Sequence, residues 1–391
     1  MTNHRKHSKV VCALSVSRSD LGRMALIYKQ LMDQPEIDFR LIMAGAHVFS
    51  KFGEPHTHAQ ELGLIPNYLI SHQSGSSPEN TSTDILQEVH SILRTSNCDY
   101  LLLMGDRFEM LAASQAALLA GVPILHVGGG HLTQGAIDEQ CRHALTKLAN
   151  RHYVACDQHE NRLRQMGEEP ESILNVGAPD IDGLLSVAPI ARNEFCETIG
   201  LNQKLDFILV TLHPETHDKM NFEEKVRALF SFLAGHNSQV LITAPCQDDG
   251  CELIFQQISH QVKCHPTKFI YHPQLGESLY VNAMHHCEYM LGNSSSGIIE
   301  SGSVGVPVIN VGERQRGRVR PKNVIDCDWD KESLEKALQA LRSLNLSELK
   351  NPYGDGKSCK RIAADILALP KTMTTAKRFI DSITEQGKLS A

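Results

Sequence analysis

The sequence predicts an α/β protein made of two doubly wound parallel-sheet domains that face each other across a cleft. Three observations carry this expectation. Short apolar runs alternate with segments of helical period along most of the chain. The alternation breaks over residues 184–204 and then restarts, so it forms two halves of similar size. Polar or ionisable clusters follow the apolar runs, which is where ligands bind in open α/β sheets.

Residues 10–16 read as a buried strand and 21–34 as an amphipathic helix. A strand over 37–44, a helix over 83–95 and a strand over 100–104 follow. Next come a helix over 107–120, a strand over 122–127 and a helix over 137–150, with short strands at 152–155 and 173–176. Strands that are apolar throughout and separated by helices belong to a parallel sheet covered on both faces. The second half supplies strands at 207–212, 240–243, 268–271, 288–291 and 306–311. The expected domains are residues 1–183 and 184–370. Residues 371–391 form a terminal segment whose amphipathic stretch, 374–385, is expected to be a helix packing back across the domains. Residues 47–79, rich in His, Gly, Ser and Pro, read as a mobile loop region near the cleft.

Composition bounds the function. A chain of 391 residues with 41% hydrophobic and 21% charged residues is neither disordered, collagen-like nor a coiled coil. No apolar run approaches the roughly 18 residues of a membrane helix. The start is polar and basic without an apolar signal core, so a cytoplasmic protein is expected. Thirty-eight basic against 45 acidic residues leave a net charge of −7, which argues against a general nucleic-acid coat. Eleven cysteines without a CxxC pair indicate neither a disulfide framework nor a zinc site.

The residues after each predicted strand carry the chemistry. They are Ser17-Arg18-Ser19-Asp20, Gly105-Asp106-Arg107, Gly128-Gly129-Gly130-His131, His213-Pro214, His272-Pro273 and Gly292-Asn293-Ser294-Ser295-Ser296-Gly297. Any one of these could be a helix cap or a turn; six together point to a binding site. In the last segment small residues open a helix at Ile298, an arrangement that binds phosphate through free amides and the helix dipole. It is neither a GxxxxGK[ST] nor a GxGxxG loop. Glu300, one turn on, accepts from ribose hydroxyls or merely complements the dipole. Arg314 and Arg316 neutralise a diphosphate or are simply solvated. Asp106 is either functional or the cap of the helix it precedes. Asp138 and Arg142, four apart, share a helix face and could form an ordinary ion pair. His213 is kept extended by Pro214.

Together these stretches resemble the hydrolysing branch of the UDP-N-acetylglucosamine 2-epimerases, which includes bacterial sialic-acid-pathway enzymes and the epimerase half of the bifunctional animal enzyme. The resemblance rests on Ser17 to Asp20, Gly105-Asp106-Arg107-Phe108-Glu109, Gly135-Ala136-Ile137-Asp138 with Arg142-His143-Ala144-Leu145-Thr146-Lys147, Leu212-His213-Pro214, residues 292–300, Pro307-Val308-Ile309-Asn310 and Gly312-Glu313-Arg314-Gln315. It spans most of residues 10–320, in order. It implies two Rossmann-like domains in a glycosyltransferase-B-like arrangement, with no metal and no nicotinamide cofactor. It implies a UDP-linked substrate, no nucleic-acid or membrane partner, and a homo-oligomer, dimer or tetramer. By motif position Arg18, Arg107, His213, Ser294, Ser295, Glu300 and Arg314 would contact the nucleotide sugar. Arg142 and His272 are counted with them, Asp106 and Asp138 would be the catalytic carboxylates, and His213 is carried as a further catalytic candidate. The implied reaction is elimination of UDP to a 2-acetamidoglycal followed by addition of water, which releases the C2-inverted sugar.

One departure stands out. The resemblance implies a carboxylate in the turn after the strand over 122–127, but this turn reads His126-Val127-Gly128-Gly129-Gly130-His131. The glycines would allow close backbone approach to a ligand, and either His131 takes over the acid/base work, or the substrate differs, or hydrolysis is impaired; the plainer reading of His131 is a helix cap or a group that only orients the sugar. The expected substrate is UDP-N-acetylglucosamine, giving N-acetylmannosamine and UDP; UDP-N,N'-diacetylbacillosamine is the alternative. A glycosyltransferase of the same fold and a non-catalytic nucleotide-sugar-binding protein are the other readings.

Overall fold

The structure, a computed structural model of the chain, describes residues 8–48, 57–72, 76–133, 137–215, 221–246 and 250–381, except the side chain of His58. Gly135 and Ala136, parts of residues 47–79, and residues 382–391 lie outside these. The chain divides into one unit of Met1–Asp182 with Gly354–Ala391 and another of Gly183–Tyr353.

The strands of the first unit are β1 (Lys9–Ser15), β2 (Ile37–Met43), β3 (Tyr68–Leu69), β4 (Tyr100–Met104), β5 (Ile124–Val127), β6 (Arg151–Val154) and β7 (Ile173–Asn175). They form one sheet in the order β3-β2-β1-β4-β5-β6-β7, all parallel. Helices α1 (Arg18–Met32), α2 (Thr57–Glu61), α3 (Pro78–Thr95), α4 (Phe108–Ala120), α5 (Ile137–Leu148), α6 (Asp157–Gln165) and α7 (Pro179–Ser186) connect and follow them. Strand alternation sorts the core into two faces. Val11, Ala13, Leu102 and Leu125 pack on one side with Met24 and Ile27 of α1. Cys12, Leu14, Leu101 and Leu103 pack on the other with Ile85 and Val89 of α3 and Ala113 and Ala117 of α4.

The second unit contains α8 (Arg192–Ile199), β8 (Phe207–Thr211), α9 (Phe222–Gly235), β9 (Gln239–Ile242), α10 (Cys251–Cys264), β10 (Phe269–Tyr271) and α11 (Gly276–His286). It continues with β11 (Tyr289–Gly292), α12 (Ser296–Ile299), α13 (Ser301–Val304), β12 (Val308–Val311), β13 (Val324–Cys327) and α14 (Lys331–Arg342). Its parallel sheet runs β10-β9-β8-β11-β12-β13. In each unit the strand order reverses beside the first strand, between β1 and β4 and between β8 and β11. That is where a doubly wound sheet opens a crevice at its carboxyl edge.

Three expectations need correction. Residues 354–370, expected with the second domain, belong to the first unit. There α15 (Ser358–Ala368) buries Cys359, Ile362 and Ile366 in the core shared with α1. Lys9 Nζ caps its end by donating to the carbonyls of Ile366 (2.7 Å) and Leu369 (2.5 Å), and Arg151 pairs with Asp365. Residues 374–381 are not helical. This segment is held from outside itself: Asn150 Nδ2 donates to the Thr375 carbonyl at 3.2 Å, Lys377 Nζ lies 2.6 Å from the Glu168 carboxylate, and Ile380 N–H donates to the Gly167 carbonyl at 3.1 Å. The span 47–79 is not all loop, because its described residues include α2 and β3. Among the described residues no helix is long and apolar enough to cross a membrane. All eleven cysteines are free thiols.

Candidate active site

In the first unit the polar residues gather beyond β1, β4 and β5. Asp106 does not cap α4. The cap position is Arg107, whose side chain makes no cap bond and instead clasps the buried Glu109 (Nε–Oε2 3.1 Å, Nη2–Oε1 2.8 Å). Asp106 is 30% exposed and accepts from Nε of Arg142 at 3.1 Å and from its Nη2.

Arg142 itself is only 1% exposed. Its remaining N–H groups go to the His131 carbonyl (2.7 Å), Thr133 Oγ1 (2.7 Å) and Glu139 Oε2 (3.5 Å). The expected ligand contact through Arg142 is therefore not made available. Its guanidinium is spent inside the protein, tying the turn after β5 and the start of α5 to Asp106. The alternative of an Asp138–Arg142 ion pair is not what forms either, since tertiary partners take the arginine.

Asp138, in the first turn of α5, is left half-buried. Burial raises its carboxyl above the ordinary range. The negative charges of Asp106 and Glu109 add to this, while Arg107 and Arg142 oppose it. The site thus holds two carboxylates in different states, one ion-paired and one that holds its proton more readily, the condition for dividing acid and base work. Arg18 opens α1 on the exposed surface, after Ser17, which caps the helix by accepting from Asp20 N–H at 3.3 Å.

The glycine turn after β5 answers first to the protein. At Gly130 (φ +83°) a Cβ would lie 2.7–2.8 Å from the backbone of His159, so only glycine fits against α6. His131 is half-buried, its ring centroid 4.0 Å from that of the buried His159. Beneath it, buried His126 has Nε2 2.8 Å from the Gly105 carbonyl. Burial pushes its pKa down to about 4, so the ring is neutral and donates from Nε2. It thereby fixes the residue just before Asp106.

In the second unit His213, Ser294, Ser295 and Arg314 follow β8, β11 and β12. Asn293, fully buried, ties these ends together. It accepts from His213 N–H (2.7 Å) and donates to the His213 carbonyl (2.9 Å). Its own carbonyl accepts from Arg314 Nη1 (3.3 Å) and Gln315 Nε2 (2.8 Å). The Nδ1 of His213 accepts the Cys246 N–H at 2.9 Å, so the ring proton sits on Nε2 and that nitrogen is a donor. The helix expected to open at Ile298 is in fact two single turns, α12 and α13, with Glu300 between them. The dipole there is correspondingly small, and a phosphate would depend on local amides, the Ser294 and Ser295 hydroxyls and Arg314. His272 Nε2 donates to the Ile199 carbonyl at 2.9 Å. Arg316 is exposed and paired with Glu313.

The family model of the UDP-N-acetylglucosamine 2-epimerases matches residues 29–367. The chain belongs to the UDP-N-acetylglucosamine 2-epimerase family. It is 31% identical to the UDP-N,N'-diacetylbacillosamine 2-epimerase (hydrolyzing) of Legionella pneumophila, over 90% of this chain and 94% of that one. It is 29% identical to the UDP-N-acetylglucosamine 2-epimerase of Neisseria meningitidis, over 95% of this chain and 99% of that one. In fold it is similar to the UDP-GlcNAc 2-epimerase of Methanocaldococcus jannaschii, solved in complex with UDP-GlcNAc and UDP, with a TM-score of 0.73 and 19% identity over 92% of this chain and 99% of that one. Glu139 and Thr133, which share Arg142 with Asp106, are not marked by any motif in the sequence. Asn293, inside the segment Gly292–Gly297, carries no signal in the sequence that marks it as the residue joining the ends of β8, β11 and β12.

Proposed function

We propose that the protein catalyses hydrolytic 2-epimerisation of a UDP-linked 2-acetamido sugar. The substrate is UDP-N-acetylglucosamine, and the products are N-acetylmannosamine and UDP. The observation that carries this reading is the pair of unlike carboxylates at the β4 and α5 ends, Asp106 ion-paired and Asp138 raised. Removal of the C2 proton and cleavage of the C1–O bond to the diphosphate give UDP and a 2-acetamidoglycal. Water then adds across the double bond, its oxygen at C1 and a proton at C2 on the opposite face. Both steps are redox-neutral. Inversion needs two acid/base groups, one for each face. Asp138 is one of them; Asp106, ion-paired with Arg142, stabilises the positive charge that develops at the anomeric carbon. Ser294, Ser295 and Arg314 hold the departing diphosphate, and His213 donates to it from Nε2. Arg18, Arg107, His272 and Glu300 are further contacts to the nucleotide sugar.

A specific observation favours a second substrate. The Legionella relative is named for UDP-N,N'-diacetylbacillosamine. Incubation with each nucleotide sugar separately decides between them. The expected result is acceptor-independent release of UDP and a free C2-inverted sugar from one of the two. Release from neither would overturn the proposal, and release only on addition of an acceptor would make the protein a glycosyltransferase.

His131 is the second acid/base group. Histidine exchanges protons near neutral pH, where an ordinary carboxylate is already ionised. The pH–rate profile should therefore carry a limb in the histidine range. His131→Ala should lose that limb and slow turnover, and His131→Glu should keep part of the rate. A wild-type rate and profile in His131→Ala would show that the proton travels by another route.

A further inference from the structure

The loop that carries Arg314 is fixed from a distance by a carboxylate no motif marks. Glu215 Oε1 accepts the backbone N–H groups of Glu313 (2.7 Å) and Arg314 (3.1 Å), and its Oε2 faces the Trp329 indole N–H at 3.3 Å. Gly312 has φ +75°, and a Cβ there would sit 2.2 Å from Glu215 Oε1 and 2.4 Å from Trp329 Nε1. The backbone has to be bare for the carboxylate to reach the loop. Trp329 is a firm anchor: it is 4% exposed, lies in the core beside α9 and meets Phe222 edge-on at 5.7 Å.

These contacts close a circuit within the second unit. Asn293 grips the His213 backbone from both sides. Pro214 disfavours a helical turn at His213, and Glu215 accepts the backbone N–H groups of 313 and 314. Arg314 and Gln315 return to the Asn293 carbonyl. The ends of β8, β11 and β12 are therefore locked to one another. A free carboxylate so close to a diphosphate site would repel the ligand. Here three N–H donors absorb its charge, and two consecutive backbone N–H groups are themselves an anion-binding arrangement.

We propose that Glu215 is a positioning residue for the diphosphate site, acting through Arg314 by fixing the backbone from which that guanidinium projects. This rests on the reading that Ser294, Ser295 and Arg314 hold the diphosphate of a UDP-linked sugar. Glu215→Gln keeps the size of the side chain but cannot offer two equivalent acceptor oxygens to the loop and the indole.

The test is a double-mutant cycle on UDP affinity, measured calorimetrically with the full chain. Arg314→Ala should weaken UDP binding about tenfold or more, the loss expected of one charged hydrogen bond. Glu215→Gln should weaken it about three- to tenfold on the same scale. The double variant should bind UDP within about twofold of Arg314→Ala alone, because a brace has nothing left to position once the guanidinium is gone. A merely structural role would give losses that multiply. Trp329 is the one tryptophan in the chain, so its emission should shift in folded Glu215→Gln as its indole partner changes. If Glu215→Gln does not fold, Glu215→Asp, which keeps the charge but is one methylene too short to span to the loop, should show the same weakening and the same cycle. Losses that multiply, or unchanged UDP affinity in a folded Glu215 variant, would overturn the proposal. So would tighter binding, which would mean that the carboxylate competes with the ligand for the two N–H groups. Failure of the wild type or of Arg314→Ala to behave as stated would instead remove the diphosphate reading beneath it.

Discussion

Asp138→Asn should lower turnover by on the order of 10²-fold or more while leaving UDP binding and the melting temperature close to wild type. The expectation follows from where Asp138 lies. It is half-buried near the beginning of α5, its carboxyl raised by burial and by the neighbouring charge of Asp106, and no ion pair to Arg142 forms. Asparagine has the same shape and is tolerated in the first turn of a helix, so the fold loses little. It cannot exchange a proton. Steady-state rates together with UDP titration measure the separation. A variant that loses UDP affinity and stability in parallel with its rate would assign Asp138 to structure.

Arg142→Met should behave in the opposite way and damage the whole site. The guanidinium is buried and serves Asp106, Glu139, the His131 carbonyl and Thr133 at once. Removing it takes the cation from between Asp106 and Glu139, and only Glu139 keeps other partners, the Thr133 N–H and His143. Losing one partner of a buried pair costs about 3–5 kcal/mol. Asp106 is 30% exposed and Glu139 20%, so water offsets part of this and the lower end applies. Chemical denaturation should show a loss of about 3 kcal/mol, with turnover abolished because Asp106 and the turn carrying His131 are no longer held together. Stability within about 0.5 kcal/mol of wild type would mean that the network is not coupled as described.

Much of this architecture was legible in the sequence because parallel strands buried on both faces have to be apolar throughout. The runs that became β1, β4, β8 and β11 could hardly be read otherwise. β3 and β13 were not legible. One is two residues long, and the other, Val324–Cys327, lies at a sheet edge with only partly buried side chains, so neither leaves an apolar run. Residues 374–381 have a helical pattern, but their chain is held in a non-helical path by Asn150, Glu168 and Gly167, partners that periodicity does not register. The site divides along the same line. Asp106, Asp138, His213 and the serines could be placed because they directly follow strands or open a helix. The roles of Arg142 and Glu215 could not. Arg142 ignores its neighbour four residues back in favour of Asp106, 36 residues away, and Glu215 acts on backbone 98 and 99 residues further on.

Elimination of UDP followed by hydration with inversion at C2 can be followed by proton NMR of the reaction in D2O. The first sugar to appear should be free, inverted at C2 and carry deuterium at that carbon, with one UDP released per sugar and no acceptor present. Accumulation of a UDP-linked 2-epimer, or a free sugar that keeps both its C2 proton and its original configuration, would contradict it.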